Sequence, residues 1–221
     1  MPEKLSGSQT GVFVGLFNRD YFDLHYEQLV RANAFSVGPY TGTGNGPSFA
    51  AGRLSYILGL QGPSMVIDTV CSSSHVAVHL ACQSLYNNEC TMAFAGAANL
   101  ILNPFSTIVT SKMRALSPEG RSKTFDASAD GFVRGEGCAM VILKRLSRAV
   151  ADGDPILALI RGSAVTHDGR SNGLTAPNGL SQQAVVKAPT LLRYLRTIPP
   201  PADTFVRVLG VDDFAIKRGD S

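Results

Sequence analysis

Cys71 stands at the junction of two sequence patterns. A short β-branched run, MVIDTV, precedes it, and SSSHVAVHLACQSL, with helical spacing of apolar residues, follows it. At the first turn of a helix a sulfur meets unpaired backbone N–H groups and the positive end of the helix dipole, which stabilise a thiolate. The same N–H groups can bind the oxyanion formed when the sulfur attacks a thioester. The position predicts a nucleophile; on position alone, a buried and unreactive thiol is equally supported.

Two histidines follow Cys71 on the same predicted helix. His75 comes four residues after the cysteine, and helical side chains lean toward the N-terminus, so its imidazole could contact the sulfur. His75 and His79 also form an H-x-x-x-H pair, a spacing found in metal sites. No glutamate stands beside His75 and no third ligand is indicated, so the sequence predicts no metal site.

Strands and helices alternate around these residues. Strands are predicted at residues 10–17, 63–70, 91–102, 138–143 and 156–165, and helices at 20–32, 48–60, 72–86 and 147–152. This alternation predicts an α/β fold with a largely parallel sheet, and the continuous apolar runs indicate strands covered on both faces. The glycine-rich segment 39–48 matches no phosphate-binding motif and is interpreted as a loop, with Ser48 as a possible N-cap.

Composition excludes several classes of protein. The chain has 44% hydrophobic and 17% charged residues and a net charge of +3, without a run of basic residues, so nucleic-acid binding is not expected. Its four cysteines form no C-x-x-C pair and nothing at the N-terminus reads as a signal peptide, which favours reduced thiols in a cytoplasmic protein. The uncharged segment 90–111 is interrupted by Asn99, Asn103 and Pro104, so a buried strand and a turn are predicted there instead of a membrane span.

The segment DTVCSSSHVAVHLACQSL resembles the active-site motif of β-ketoacyl synthases, in particular the ketosynthase domains of modular polyketide synthases. Three further segments resemble the same family in the family's order and spacing. They are GNGPSFAAGRLSYILGLQGPS, SPEGRSKTFDASADGFVRGEG and GSAVTHDGRSNGLTAPNG. The resemblance extends over about residues 11–186.

This resemblance implies a thiolase-like layered fold, in which two similar α/β halves dimerise through strands beside the active cysteine. Residues 1–153 would form most of the first half and residues 154–187 the start of the second. Cys71 would be the acyl-accepting nucleophile, with backbone N–H groups as oxyanion donors. No cofactor is implied, since the substrates are carried on the phosphopantetheine of an acyl carrier protein. The acyl group would then be condensed with the carbanion of a decarboxylated malonyl-type extender.

The charged residues of the third segment could be catalytic by type. They are Lys123, Asp126, Asp130, Arg134 and Glu136. In the family this loop supports the active-site floor and the dimer, so we interpret these charges as a hydrogen-bonded network instead of catalytic groups.

The sequence departs from the family's pattern near the cysteine and in its second half. Val70 replaces the usual alanine, and His75 replaces the usual leucine, so we interpret His75 as a polar residue in a formerly apolar position. His79 matches the family, where it is a packing histidine. The two catalytic histidine segments, E-A-H-G-T-G-T and G-H-x-x-x-A-A-G, do not occur, and His167 lies where the family usually has glutamine. We therefore expect a truncated ketosynthase that is inactive in condensation; a non-catalytic interaction fragment or pseudogene product is the alternative.

The composition changes at residue 188. The tail sequence LLRYLRTIPPPADTFVRVLGVDDFAIKRGDS resembles the segment that leads into the catalytic core of DDE-type insertion-sequence transposases. By this resemblance Asp212 or Asp213 would be the first metal-binding carboxylate. One pair of aspartates cannot hold two Mg²⁺ ions for phosphoryl transfer, so a DNA-binding remnant is a remote alternative. We interpret residues 188–221 as an unrelated tail fused to the ketosynthase.

Overall fold

The computed structural model of the chain describes residues 5–31, 37–174 and 176–187. The tail with Asp212 and Asp213 lies outside the described residues. Contacts divide the chain into two units, Met1–Arg145 and Leu146–Ser221. The domain boundary expected at residue 153 from the resemblance stays a prediction.

The first unit is built on a mixed sheet. Strands β1 (Thr10–Gly15), β2 (Ser64–Ile67), β3 (Met92–Asn99) and β4 (Gly137–Lys144) lie in the order β2-β1-β3-β4. β1 runs parallel to β2 and β3, and β4 runs antiparallel to β3. Every residue of β1 is buried, which explains why its sequence is a continuous apolar run instead of an alternating one. The expected α/β class is confirmed.

Helices connect and cover these strands. In the first unit they are α1 (Asp20–Arg31), α2 (Tyr40–Asn45), α3 (Ser48–Leu58), α4 (Ser73–Tyr86) and α5 (Phe105–Lys112). A short 3₁₀ turn, Val70–Ser72, joins β2 to α4. The second unit has α6 (Leu146–Ala151) and α7 (Gly179–Lys187). No helix among the described residues combines the length and hydropathy that a membrane span needs.

The two faces of the sheet carry separate apolar clusters. Val12 and Val14 pack with Ala51 of α3, whereas Phe13, between them in sequence, packs in a second cluster with Ala77 of α4. Successive side chains of a strand point to opposite faces, so this division follows from the strand itself. Ala77 and Ala81 are fully buried. Their small side chains let α4 lie close to the sheet.

The glycine-rich segment expected to be a loop contains a helix instead. Within residues 39–48, α2 is supported by local bonds: Asn45 Nδ2 donates to the carbonyl of Thr41 at 2.8 Å, and Gly38 N donates to Thr41 Oγ1 at 3.1 Å. Ser48 is the first residue of α3 and not its N-cap, a position that Pro47 occupies. The fixed φ of proline suits the start of a helix. The helix therefore begins directly after Pro47, although serine is the better N-cap residue by preference.

The strand expected at residues 156–165 does not form. These residues take no helix or strand assignment, and Leu157 is 93% exposed. A strand exists only when a neighbour satisfies its backbone groups, and no described residue of this unit supplies a ladder. The following polar loop is ordered by side chains instead, because Asp168 Oδ2 accepts from Asn178 N at 2.9 Å and Ser181 Oγ donates to the carbonyl of Asp168 at 3.1 Å.

Candidate active site at Cys71

Cys71 lies in the 3₁₀ turn that follows β2, and its side chain is exposed. β2, β1 and β3 are parallel, so their carboxyl ends meet at one edge of the sheet. In open α/β sheets ligands bind at this edge. Exposure contradicts the alternative of a buried thiol and leaves the sulfur open to a substrate.

Val70, the residue before the cysteine, has a left-handed backbone with φ 58°. For a β-branched residue this is an outlier that costs conformational energy. Both polar groups of its backbone have partners. Val70 N donates to Asp68 Oδ1 at 3.1 Å, and its carbonyl accepts from Ser73 Oγ at 2.7 Å.

Ser73 links the two sides of the turn. Its side chain is buried, and its hydroxyl both accepts from Thr69 N at 2.9 Å and donates to the carbonyl of Val70. Ser72 Oγ adds a bond to the carbonyl of Thr69 at 2.9 Å. The N–H groups of Thr69 and Val70 thus both have acceptors. The next N–H along the chain belongs to Cys71. N–H groups at the start of a helix have no acceptor within the helix.

The first turn of α4 rests directly on the end of β1. A Cβ placed on Gly15 would lie 2.8 Å from both Ser73 C and Ser74 N. No side chain fits between these backbones, so glycine is required for the helix start to approach the sheet.

The other end of α4 is held by Arg145. Its guanidinium donates from Nε to the carbonyl of Leu85 and from a terminal nitrogen to the carbonyl of Tyr86, both at 2.7 Å. A cation at the carboxyl end of a helix satisfies the last carbonyls and complements the dipole. α4 is therefore anchored at both ends.

The other cysteines have different surroundings. Burial raises the pKa of the Cys82 thiol, which keeps it protonated. Cys90 is buried in the core and accepts a hydrogen bond from Ser84 Oγ at 3.3 Å. Cys138 is exposed on β4. Among the four, Cys71 alone combines exposure with a strand–helix junction.

His75 is exposed on α4, and the part of the chain that the structure describes contains no hydrogen bond between it and Cys71. His79 is partly exposed on the same helix. No group of three or more histidine, cysteine or acidic residues is placed to hold a metal ion within residues 5–31, 37–174 and 176–187.

Of the five charged residues singled out in the sequence between 117 and 137, three interact within their own loop: Lys123, Asp126 and Asp130. Lys123 Nζ lies 3.0 Å from Glu119 Oε2 and 3.5 Å from Asp130 Oδ2. Asp126 Oδ1 accepts from the backbone N–H and the hydroxyl of Ser128, and these bonds lower the pKa of Asp126. These contacts order the loop.

The remaining two tie the loop to the end of β3 and to α5. Glu136 Oε1 accepts from Ile101 N at 2.6 Å, and Arg134 donates to the hydroxyl of Thr107. Asn99, the last residue of β3, donates to the carbonyl of Gly135 at 2.5 Å. The loop is thereby joined to the sheet edge that also carries Cys71.

A cleft of about 250 Å³ opens where the segments that follow β1 and β3 meet residues 43–53 of α2 and α3. Apolar side chains line most of it, with Arg19 and Arg53 among the lining residues. Asp20, buried beside it, accepts from the backbone N–H groups of Leu102 and Asn103 and joins the two segments.

Sequence reasoning missed three residues that position the cysteine: Gly15, Ser73 and Arg145. The sequence did contain an indication for Gly15. This glycine ends the buried run TGVFVG, and a glycine in a strand can mark a place where two backbones approach closely. Ser73 is one of three consecutive serines, and nothing in the sequence distinguishes it from its neighbours. Arg145 lies far from α4 in sequence and had no local signal.

Residues 1–149 match the profile of the β-ketoacyl synthase N-terminal domain. Among curated proteins, the chain is 57% identical over 182 residues to a component of the phenolphthiocerol/phthiocerol polyketide synthase of Mycobacterium tuberculosis, a match that covers 82% of the chain and 8% of that protein. A second component of the same synthase, from the same organism, is 49% identical over 209 residues, 95% of the chain and 11% of that protein. The chain thus spans about a tenth of these relatives.

Solved structures show the same similarity. A ketosynthase from module 6 of the bacillaene synthase of Bacillus subtilis 168 is 39% identical, with a TM-score of 0.74, over 84% of this chain and 30% of that one. An oxazolomycin ketosynthase domain from Streptomyces albus JA3453 is 36% identical, with a TM-score of 0.79, over 87% of this chain and 33% of that one. The thiolase-like fold expected from the resemblance is confirmed for the part covered.

Proposed function

The chain belongs to the β-ketoacyl synthase family, and from this we propose that Cys71 is the nucleophile that accepts the acyl group in a ketosynthase of polyketide synthase type. The observation that carries the proposal is the exposed position of Cys71 in the turn between β2 and α4, at the carboxyl edge of the parallel strands. In open α/β sheets ligands bind at this edge, so an acyl thioester can reach the sulfur.

The proposed loading step is a transfer between two sulfurs. The Cys71 thiolate attacks the carbonyl carbon of an acyl thioester, and the oxyanion that forms is stabilised by the backbone N–H of Cys71. The bond from that carbon to the donor sulfur then breaks. The donor leaves as a thiolate that takes a proton from water, and the acyl group remains on Cys71.

The proposed condensation forms a carbon–carbon bond. A malonyl-type extender loses CO₂, its carbanion attacks the acyl carbon, and the Cys71 thiolate is expelled. This step needs groups that promote decarboxylation, and the two histidine segments that do so in the family do not occur in these 221 residues. We expect this chain by itself to accept an acyl group and not to condense it.

We propose an acyl carrier protein as the acyl donor, with the substrate on its phosphopantetheine arm. The curated relatives named above are components of a polyketide synthase, which supports this donor class. We also propose a homodimer. Its support is the outer edge of β2, the terminal strand that precedes the turn of Cys71; in the described part of the chain β2 pairs only with β1, and an unpaired strand edge can pair with a second copy.

Intact-mass measurement of the folded chain after incubation with an acyl thioester tests the loading step. We expect one acyl addition that is lost in Cys71→Ala and kept in Cys138→Ala, since Cys138 is the other exposed cysteine. Circular dichroism verifies that each variant is folded. An addition that persists in Cys71→Ala, or no addition to the folded chain, would refute the proposal.

The transposase resemblance of residues 191–221 stays a prediction. The match to a mycobacterial polyketide synthase covers 209 residues, 95% of this chain. The tail begins after residue 187, so the match extends into the tail. Inverted repeats in DNA flanking the Ala188 codon would support a mobile-element origin. Absence of such repeats would contradict it.

A further inference from the structure

We propose that Ser73 and Asp68 are positioning residues that hold Val70 in its left-handed conformation and thereby orient the Cys71 peptide. The inference deepens the proposed function and rests on Cys71 as the acyl-accepting nucleophile. Neither side chain needs to touch the acyl group. They act through the backbone of Val70.

The conformation of Val70 requires an explanation because the residue itself opposes it. At φ 58° the Cβ of an L-residue crowds the following carbonyl, and a branched Cβ makes the crowding worse. The side chain is 54% exposed, so burial of its methyl groups contributes little. Such a conformation persists only where the surroundings determine it.

Hydrogen bonds supply this constraint on both sides of the residue. Asp68 Oδ1 holds the N–H of Val70 at 3.1 Å, and Ser73 Oγ holds its carbonyl at 2.7 Å. The backbone N–H of Ser73 also donates to that carbonyl. With both peptide groups held, Val70 cannot rotate to negative φ without breaking bonds.

Ser73 is a firm anchor for this constraint. Its side chain is 5% exposed, and its backbone rests on Gly15 of β1, where an added Cβ would lie 2.8 Å from Ser73 C. The constraint on Val70 is thus connected to the most buried strand of the sheet.

The bonds of Ser73 serve the turn and not the helix. An N-cap side chain would accept a bond from the N–H groups in the first turn of α4, whereas Ser73 Oγ bonds Thr69 N and the carbonyl of Val70, both before the helix. The N-cap residue of α4 is Ser72, and it makes no side-chain cap bond. Removal of the Ser73 hydroxyl should therefore act on the turn that carries Cys71.

The test compares three variants, Ser73→Ala, Val70→Gly and the double variant, by the rate of acyl addition to Cys71. Ser73→Ala should slow the addition about tenfold or more, because small displacements of a reacting group are costly. In the double variant the rate should return close to that of Val70→Gly, because glycine adopts positive φ without strain and needs no constraint. Ser74→Ala is the matched control, since the described part of the chain contains no hydrogen bond of its hydroxyl.

A merely structural role of Ser73 predicts a different pattern, with the double variant as slow as Ser73→Ala. That result, or an unchanged rate in Ser73→Ala, would overturn the proposal. Asp68→Ala, with and without Val70→Gly, gives an independent second comparison on an exposed side chain. If Ser73→Ala does not fold, the comparison of the Asp68 variants tests the proposal in its place.

Failure of the proposed function would look different again. If neither the unaltered chain nor any variant accepts an acyl group, the proposed loading step is refuted. The positioning is then read from the rate at which iodoacetamide alkylates Cys71, with exposed Cys138 as the internal reference. Slowing by Ser73→Ala and recovery in the double variant would support the positioning; equal rates in all variants would refute it.

Discussion

Val70 and Asn88 have nearly the same φ angle and very different side chains. Their φ angles are 58° and 63°, in the left-handed region, and both residues are exposed. Asparagine tolerates this region because its short polar side chain can form local hydrogen bonds, whereas the branched Cβ of valine is crowded by the backbone. At the residue scale, Val70 therefore costs stability that Asn88 does not.

Val70→Asn should raise the free energy of unfolding by ~1 kcal/mol, because the strain is relieved while the hydrogen bonds of the turn remain. Asn88→Val is the reciprocal control and should lower it by a similar amount. Urea denaturation followed by circular dichroism measures both. A lower stability of Val70→Asn would show that valine is not strained in this turn.

At the element scale, the position of Cys71 depends on how α4 is held against the sheet. The first turn of the helix lies on Gly15, and Arg145 binds the carbonyls of its last turn. Ala77 and Ala81 pack between these points. Cys71 thus lies in the turn that leads into a helix held at both ends and packed against the sheet between them.

Gly15→Ala should lower the free energy of unfolding by ~2 kcal/mol, because the new methyl group must displace the backbone of Ser73 and Ser74. Gly52→Ala is the matched control. Gly52 lies inside α3 with no atom within 4 Å of an added Cβ, so alanine should raise the stability by ~0.5–1 kcal/mol. Urea denaturation measures the free energy of unfolding of both variants. A stabilising effect of Gly15→Ala would disprove the close approach of α4 to β1.

Arg145→Lys should lower the stability by ~1 kcal/mol, because an ammonium group cannot reproduce the two bonds of the planar guanidinium. Thermal denaturation is the measurement. Arg148→Lys is the control, since within the described ranges the guanidinium of Arg148 makes no hydrogen bond and only its backbone carbonyl does, accepting from Asp152 N at 2.9 Å. Equal melting temperatures of the two variants would mean that Arg145 does not anchor α4.

At the scale of the whole molecule, the β4 edge of the sheet is a second site for self-association, besides the β2 edge proposed for the homodimer. β4 is a terminal strand of eight residues, and in the described chain it pairs only with β3. Its residue Ile142 is 69% exposed. A long apolar edge strand offers unpaired backbone groups to another chain, so the purified chain should also associate through β4.

Ile142→Lys should reduce this association, because a lysine on an edge strand opposes pairing with a second strand. Ile57→Lys is the matched control: Ile57 has the same 69% exposure but lies on helix α3. Sedimentation velocity over a range of concentrations gives the comparison. An equal reduction by both variants would attribute association to general apolar exposure instead of the strand edge.

Much of the site could be predicted from the sequence. The junction at Cys71, the helix after it and the strands before and after that helix appear where the local patterns indicate, because apolar periodicity depends on neighbours within one element. The resemblance of four segments also predicted the family correctly. These features are properties of short stretches, so a single sequence was enough.

The contacts that hold the cysteine were decided by tertiary structure. Gly15 and Ser73 are 58 residues apart, and Arg145 Nε bonds a carbonyl 60 residues away, so no local pattern announced them. The antiparallel placement of β4 and the missing ladder at residues 156–165 likewise depend on which strand is available as a neighbour. The local sequence determined that a cysteine stands just before a helix start. The packing of distant backbones determined where that start lies, because close approach and hydrogen bonding exist only once the chain has folded.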